Sequence, residues 1–316
     1  MVRLWLLVLA CLLLGGCSEK RSVSSNVPPL PVQDVIDSVR SSIVQVLVRV
    51  QNPSAHLPVP PPCQFVNGVC VVGTGFFVNR SGDVVTAFHV VSEATRVIAA
   101  LQKGMIPADM EIAIAMPNVD LPQGGGVISG NFFQISMKLK ASRTERDIAV
   151  LSTTGRNPFD GFPRIFDGAL ARNVPKATVA VAKIETNRPR DGDEVLAVGF
   201  PLGSQALEST TGRIASSWIN ENLTTAKANG SSVESDVYHL DLRINPGNSG
   251  GPLFHTRTQG VLGIVVEFIS SQSRDYIVRG AGLAVVVPSK YITELLTANQ
   301  IAWTDVSAPA PAGKSK

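Results

Sequence analysis

Charge is scarce in this 316-residue chain: 17% of residues are charged and the formal net charge is only +3. The basic residues are scattered rather than blocked, so no nucleic-acid-binding surface is expected. Long apolar runs are also missing. The most apolar run, residues 4–14, falls short of the ~20 residues that a membrane-spanning helix takes. Cysteine and histidine number four each, and nowhere do they stand together at metal-ligand spacing, so neither a metal ion nor a cofactor is expected. No internal repeat is visible. What the chain does have is apolar substance, 44% of its residues, which is enough for one large core or two modest ones.

The N-terminus has the order of a secretory signal: Arg3, then the short apolar run, then Gly15-Gly16-Cys17. Leu14-Gly15-Gly16-Cys17 resembles a bacterial lipobox. That resemblance implies cleavage of residues 1–16, lipid on Cys17 and membrane attachment through acyl chains. Ser18 after the cysteine, by the same analogy, favours the outer membrane. A simply cleaved signal is the alternative. Residues 17–31 are polar and carry prolines, as a tether would. Cys63 and Cys70 flank Asn67-Gly68, a strong turn signal, and in an oxidising compartment a short-loop disulfide between them is expected.

Helical spacing shows at Val35, Ile36 and Val39, and period two begins at Ile43, with Val44, Val46, Val48 and Val50 on one face. That alternation predicts a half-buried strand. Further short apolar runs follow at 69–79, 84–87, 131–141 and 147–151. After a mixed stretch, expected to be a connector over 159–180, a second set occupies 194–198, 212–219, 237–244, 260–268 and 282–287. Many short strands with turns between them predict an all-β sandwich or barrel architecture. Ser289 is placed to cap a C-terminal helix whose apolar face is Tyr291, Ile292, Leu295 and Leu296. The tail, 301–316, is expected to be disordered.

The stretch Asn245-Pro246-Gly247-Asn248-Ser249-Gly250-Gly251 exposes a hydroxyl among glycines, with backbone N–H groups free to meet an oxyanion. A serine hydroxyl is a weak nucleophile at neutral pH and needs a base that is itself oriented by a third group. Gly247-x-Ser249-x-Gly251 also fits the nucleophile elbow of α/β-hydrolases, whose order is serine, acid, histidine. Only His255 lies downstream of Ser249, with no acid between them, so that reading fails. The order histidine, aspartate, serine is available instead. His89 follows the strand that ends in Thr86-Ala87, and is expected at its edge. Asp147 opens the apolar run Ile148-Ala149-Val150-Leu151, where its carboxylate is expected to be half buried. His56 and His255 read as incidental and His239 as structural.

At these residues the chain resembles the Deg/HtrA branch of trypsin-like serine endoproteases. The resemblance rests on Gly73-Thr74-Gly75-Phe76-Phe77-Val78, on Thr86-Ala87-Phe88-His89-Val90-Val91, on Asp147-Ile148-Ala149-Val150-Leu151 and on the Ser249 stretch. Val195-Leu196-Ala197-Val198-Gly199-Phe200-Pro201 and Gly282-Leu283-Ala284-Val285-Val286-Val287-Pro288 are similar to that branch too. It implies two six-stranded antiparallel β-barrels, the first over 32–158 and the second, with the C-terminal helix, over 181–300. It implies His89 as general base and then acid, Asp147 as its orienting group, Ser249 as nucleophile, and the N–H groups of Gly247 and Ser249 as oxyanion hole. Protein or peptide substrates in the periplasm or envelope follow, as does homotrimer formation, which is frequent in the family. A catalytically silent chaperone or scaffold on the same fold is the rival.

Three departures from the pattern are visible. Asn248 stands where digestive proteases carry the aspartate that receives a freshly cut N-terminus, so activation by pro-peptide cleavage is not expected. Arg243, six residues before Ser249, falls at the base of the specificity pocket, and Phe268 falls where open pockets have glycine. A bulky Phe268 implies a preference for small aliphatic side chains, whereas an inward Arg243 implies an acidic one. Finally, the 18 residues after Ala298 are too few for the peptide-binding PDZ domain that many members carry.

Overall fold

The computed structural model describes residues 31–50, 65, 68–103, 110–116, 134–155, 157–160, 179–201, 204, 206–222, 234–268 and 283–307. Residues 1–30, which include Cys17, the whole of the expected signal and all but the last residue of the expected tether, lie outside them, as do Cys63, His56 and most of the expected connector. Side chains at 218–222, 234–235, 267–268 and 283 also lie outside the description.

Helix α1 (Val32–Val39) buries Val35 and Val39 and leads directly into β1 (Ile43–Val50). β1 pairs on one edge with β2 (Val69–Phe77) and on the other with β4 (Met110–Ala115). β2 continues to β3 (Val84–Ala87), β3 to β6 (Ile148–Thr153), β6 to β5 (Gln134–Arg143) and β5 back to β4. Every pairing is antiparallel and the ring closes. The second barrel contains β7 (Glu194–Gly199), β8 (Glu208–Asn222), β9 (Glu234–Asp241), β10 (Pro252–His255), β11 (Val261–Phe268) and β12 (Leu283–Pro288). Numbered from its own first strand, each barrel runs 1-2-3-6-5-4 around the ring. The architecture is thus one topology used twice, although no repeat shows in the residues.

Closure removes both edges of each sheet, and with them the exposed ladder groups that invite strand addition. It also explains a correction to β1. The alternation suggested one wet face, yet seven of its eight positions are buried, Gln45 among them. The inner face of the strand fills the barrel, and the outer face is covered by its surroundings. Gln45 satisfies its buried amide by donating from Nε2 to the Ser204 carbonyl, 2.8 Å away.

Helix α2 (Phe88–Lys103), not read from the sequence, covers the far end of the Val44–Val50 face, while Leu47 on the other face packs with Val69, Ala113 and Ala115. The helix lays Ala94, Val97 and Leu101 against Val48, Val50 and Cys70. A second cover is α3 (Ser289–Ala298), whose Tyr291, Ile292, Leu295 and Leu296 are buried as expected. Ser289 does not cap it. The serine is the first helical residue, and its hydroxyl donates instead to the Glu185 carbonyl at 2.6 Å. The expected disordered tail also needs correction in its first part. Ile301 is buried, and residues 304–306 run beside Ile184, with Ile184 N–H donating to Thr304 O and Val306 N–H to Ile184 O.

One apolar cluster runs without a break from Val44, Phe76 and Val85 of the first barrel through Phe200 and Phe254 of the second to Leu296 of α3. A smaller one, around Leu240, Leu253 and Leu262, fills the second barrel. A fully buried side chain of this size contributes about 1.5–3 kcal/mol, so the shared cluster holds the barrels in one fixed relation.

Candidate active site

β3 and β6 set the first two residues of the site. Their register pairs Ala87 with Ile148, so Phe88 and Asp147 are the next pair outward. The ladder continues for that one step, with Phe88 N–H donating to the Asp147 carbonyl at 3.0 Å. Past it, the chain after Ala87 winds into α2, and His89 occupies the first helical turn rather than a strand edge. Asp147 closes the single 3₁₀ turn Thr144–Arg146 with a left-handed backbone, φ 54°. Aspartate tolerates that conformation better than most residues, and a residue held there is typical of a functional site.

The consequence is a doubly held carboxylate. Asp147 Oδ1 accepts the backbone N–H of His89 at 2.8 Å, and Oδ2 lies 2.7 Å from His89 Nδ1. The Asp147 side chain is fully buried, not half buried, while 28% of the His89 side chain is exposed. A carboxylate against Nδ1 holds the proton on that nitrogen, which leaves the Nε2 lone pair as the basic site. Behind the pair, the Arg146 guanidinium lies 4.3 Å from the centroid of the Tyr291 ring, so α3 backs the turn that carries Asp147.

Ser249 arrives from the other barrel. Its loop is folded on itself by Asn248 N–H to Asn245 O (3.1 Å) and Gly251 N–H to Asn248 O (2.9 Å). β11 fixes it from behind through Gly250 N–H to Val265 O (2.7 Å). β2 fixes it from the front, since Thr74 N–H donates to Ser249 O at 2.9 Å. Gly250 has φ 82°, and a Cβ there would lie 2.1 Å from Thr86 Oγ1 and 2.8 Å from the backbone nitrogen of Ala87. The nucleophile loop therefore rests on the strand end that delivers His89. Replacing Gly250 by alanine combines strain with overlap and is expected to cost about 3 kcal/mol or more. Chemical denaturation of the variant checks this, and a midpoint equal to the parent's contradicts it.

Among the described residues the Ser249 hydroxyl engages no partner, and the N–H groups of Gly247 and Ser249 donate to none. Catalytic hydrogen bonds commonly tighten only when substrate is bound. Asn248 is buried with its Oδ1 against Gly199 and no partner among the described residues. Arg243 is exposed. Phe268 pairs through its backbone with Ala284, and its side chain lies outside the described residues. His255, at the end of β10, sits 3.7 Å from Asp193, and burial holds its pKa below the usual imidazole value against the pull of that carboxylate. His239 is buried within β9. Sequence reasoning passed over Thr74 and Thr86. A threonine between two glycines was the available signal, because small neighbours allow another chain to come close: a Cβ on Gly73 would lie 2.9 Å from Ser249 O.

Two closed antiparallel barrels, with a histidine–aspartate pair on one and a glycine-flanked serine on the other, define the two-barrel serine protease fold. The chain belongs to the trypsin-like peptidase domain family, whose description matches residues 73–264, more than half of its length. Its curated relatives are Deg/HtrA-type serine proteases. It is 36% identical over 128 residues to serine protease Do-like HtrB of Bacillus subtilis, a match over 40% of this chain and 23% of that protein. It is 25% identical over 232 residues to a probable periplasmic serine endoprotease DegP-like of Chlamydia muridarum, over 73% and 35% respectively. The matches thus span about a quarter to a third of the length of these curated relatives.

Among solved structures, Rv3671c protease from M. tuberculosis in its active form aligns over 90% of both chains, with a TM-score of 0.53 and 18% identity. HtrA-type protease AlgW with decapeptide aligns over 86% of this chain and 68% of that one, with a TM-score of 0.53 and 19% identity. At such identities the likeness is one of fold.

Proposed function

We propose that this chain is a serine endopeptidase that hydrolyses peptide bonds of periplasmic or envelope proteins through an acyl-enzyme. The observation that carries this reading is the buried Asp147 carboxylate on His89 Nδ1, beside a Ser249 loop packed against the same strand end. In the first step Ser249 Oγ attacks the scissile carbonyl carbon while His89 Nε2 takes its proton. Asp147 stabilises the imidazolium. The oxyanion is met by the N–H groups of Gly247 and Ser249. His89 then protonates the leaving amine, and a water activated by the same nitrogen hydrolyses the ester.

In this reading residues 1–16 direct export, Cys17 carries lipid, and the domain is held at the membrane facing the periplasm as a homotrimer. Relatives named as periplasmic endoproteases support the compartment. A Cys63–Cys70 disulfide suits it, and Cys70 is buried on β2. For specificity, the exposure of Arg243 favours Phe268 as the residue that limits the pocket.

The test is covalent labelling of the purified chain by a fluorophosphonate, followed by mapping of cleavage sites in a peptide library. Labelling and enrichment of small aliphatic residues before the cut bond are expected. Enrichment of acidic residues there would assign the pocket to Arg243 instead. Absence of both labelling and cleavage across pH would overturn the enzymatic reading.

A further inference from the structure

Thr74 grips the nucleophile loop at two points, once through its backbone and once through its side chain. Its hydroxyl donates to Gly247 O at 2.7 Å and accepts Phe200 N–H at 3.0 Å. Its own N–H donates to Ser249 O at 2.9 Å, and its carbonyl accepts the Thr86 hydroxyl at 2.7 Å. Thr74 is fully buried, so these bonds act in a medium where a lost partner is not replaced by water.

We infer that Thr74 is a positioning residue that holds the oxyanion hole in shape, an inference that rests on the enzymatic reading above. Gly247 has φ 100° and no side chain, so nothing intrinsic to the residue holds its peptide planes. The plane between Gly247 and Asn248 is pinned at both ends, its oxygen by Thr74 Oγ1 and its N–H by the Asn245 carbonyl. The Ser249 carbonyl, one residue beyond, is pinned by Thr74 N–H. Both oxyanion donors, the N–H groups of Gly247 and Ser249, belong to this three-residue span. The Thr86 bond ties the same strut to β3, three residues before His89. One residue of the first barrel therefore couples the histidine arm, through its carbonyl, to the donors of the second barrel, through its hydroxyl and N–H.

The inference separates hydroxyl from bulk. Thr74→Val keeps the shape and removes the donor, leaving the Gly247 carbonyl and Phe200 N–H unpaired. Thr74→Ser keeps the donor. In the full chain, with a fluorogenic peptide taken from the library profile, Thr74→Val is expected to lower kcat about 10²-fold with KM within twofold. Its fluorophosphonate labelling falls in parallel, and Thr74→Ser retains at least a third of the parent kcat. If the valine variant does not fold, Thr74→Ala against Thr74→Ser makes the same comparison between two small side chains. A folded valine variant with kcat within threefold of the parent, or an alanine variant as active as the serine one, overturns the strut alone. A parent chain that neither labels nor cleaves overturns the enzymatic reading, and the strut with it.

Discussion

Replacement of Ser249 by alanine is expected to abolish fluorophosphonate labelling and to lower peptide-bond hydrolysis about 10⁶-fold, the scale on which loss of a triad nucleophile is measured. The expected effect is confined to chemistry. The Ser249 hydroxyl is bonded to nothing among the described residues, and the loop is held by backbone groups of Thr74, Val265 and Asn245 that alanine leaves in place. Thermal unfolding of Ser249→Ala should therefore match the parent within about 1 kcal/mol. Labelling that survives in the alanine variant would mean that a different side chain is the nucleophile.

Asp147→Asn is expected to give the second large effect, a fall in kcat of about 10⁴-fold. The reason is the proton on His89. The Asp147 carboxylate accepts twice, from His89 N–H and at Nδ1. An asparagine that keeps its oxygen on the backbone N–H turns its amide hydrogens toward Nδ1, which drives the ring proton to Nε2 and removes the base. Asparagine tolerates the left-handed φ of 54° as aspartate does, so the backbone stays as it is. Histidine NMR on both proteins reads the tautomer directly, and stopped-assay kinetics reads the rate. An asparagine variant with full activity would remove Asp147 from the mechanism.

Much of this was legible in the chain because it is local. Ten of the twelve strands among the described residues overlap a run read from the sequence, β4 and β10 being the two it passed over, and α3 keeps the apolar face its spacing announces. α2 escaped because Phe88-His89-Val90-Val91 continues the apolar, β-branched character of β3, and a short window cannot separate a buried strand from the start of a buried helix. Further along, Ala94, Val97 and Leu101 do carry the helical period. Burial was underestimated wherever the covering group came from far away: at Gln45 of β1, whose amide meets the Ser204 carbonyl, and at Asp147, held against His89. Counting along the chain could not say whether Arg243 points inward, since its exposure is set by the tertiary fold.

By itself the sequence determined the parts and their order. The strand pattern left an all-β sandwich or barrel, and the succession His89, Asp147, Ser249 with the motifs around it carried the resemblance to two-barrel serine proteases. Those are properties of neighbours along the chain or of composition. Tertiary structure alone decided the rest: that both barrels close in the same strand order, that Asp147 is buried and held by two donors, and that Thr74 and Thr86 join the two halves of the site. Each depends on hydrogen bonds between residues tens or hundreds of positions apart, such as Thr74 with Gly247. No local propensity encodes such a pair, because its free energy is realised only when both barrels have formed and excluded water from between them.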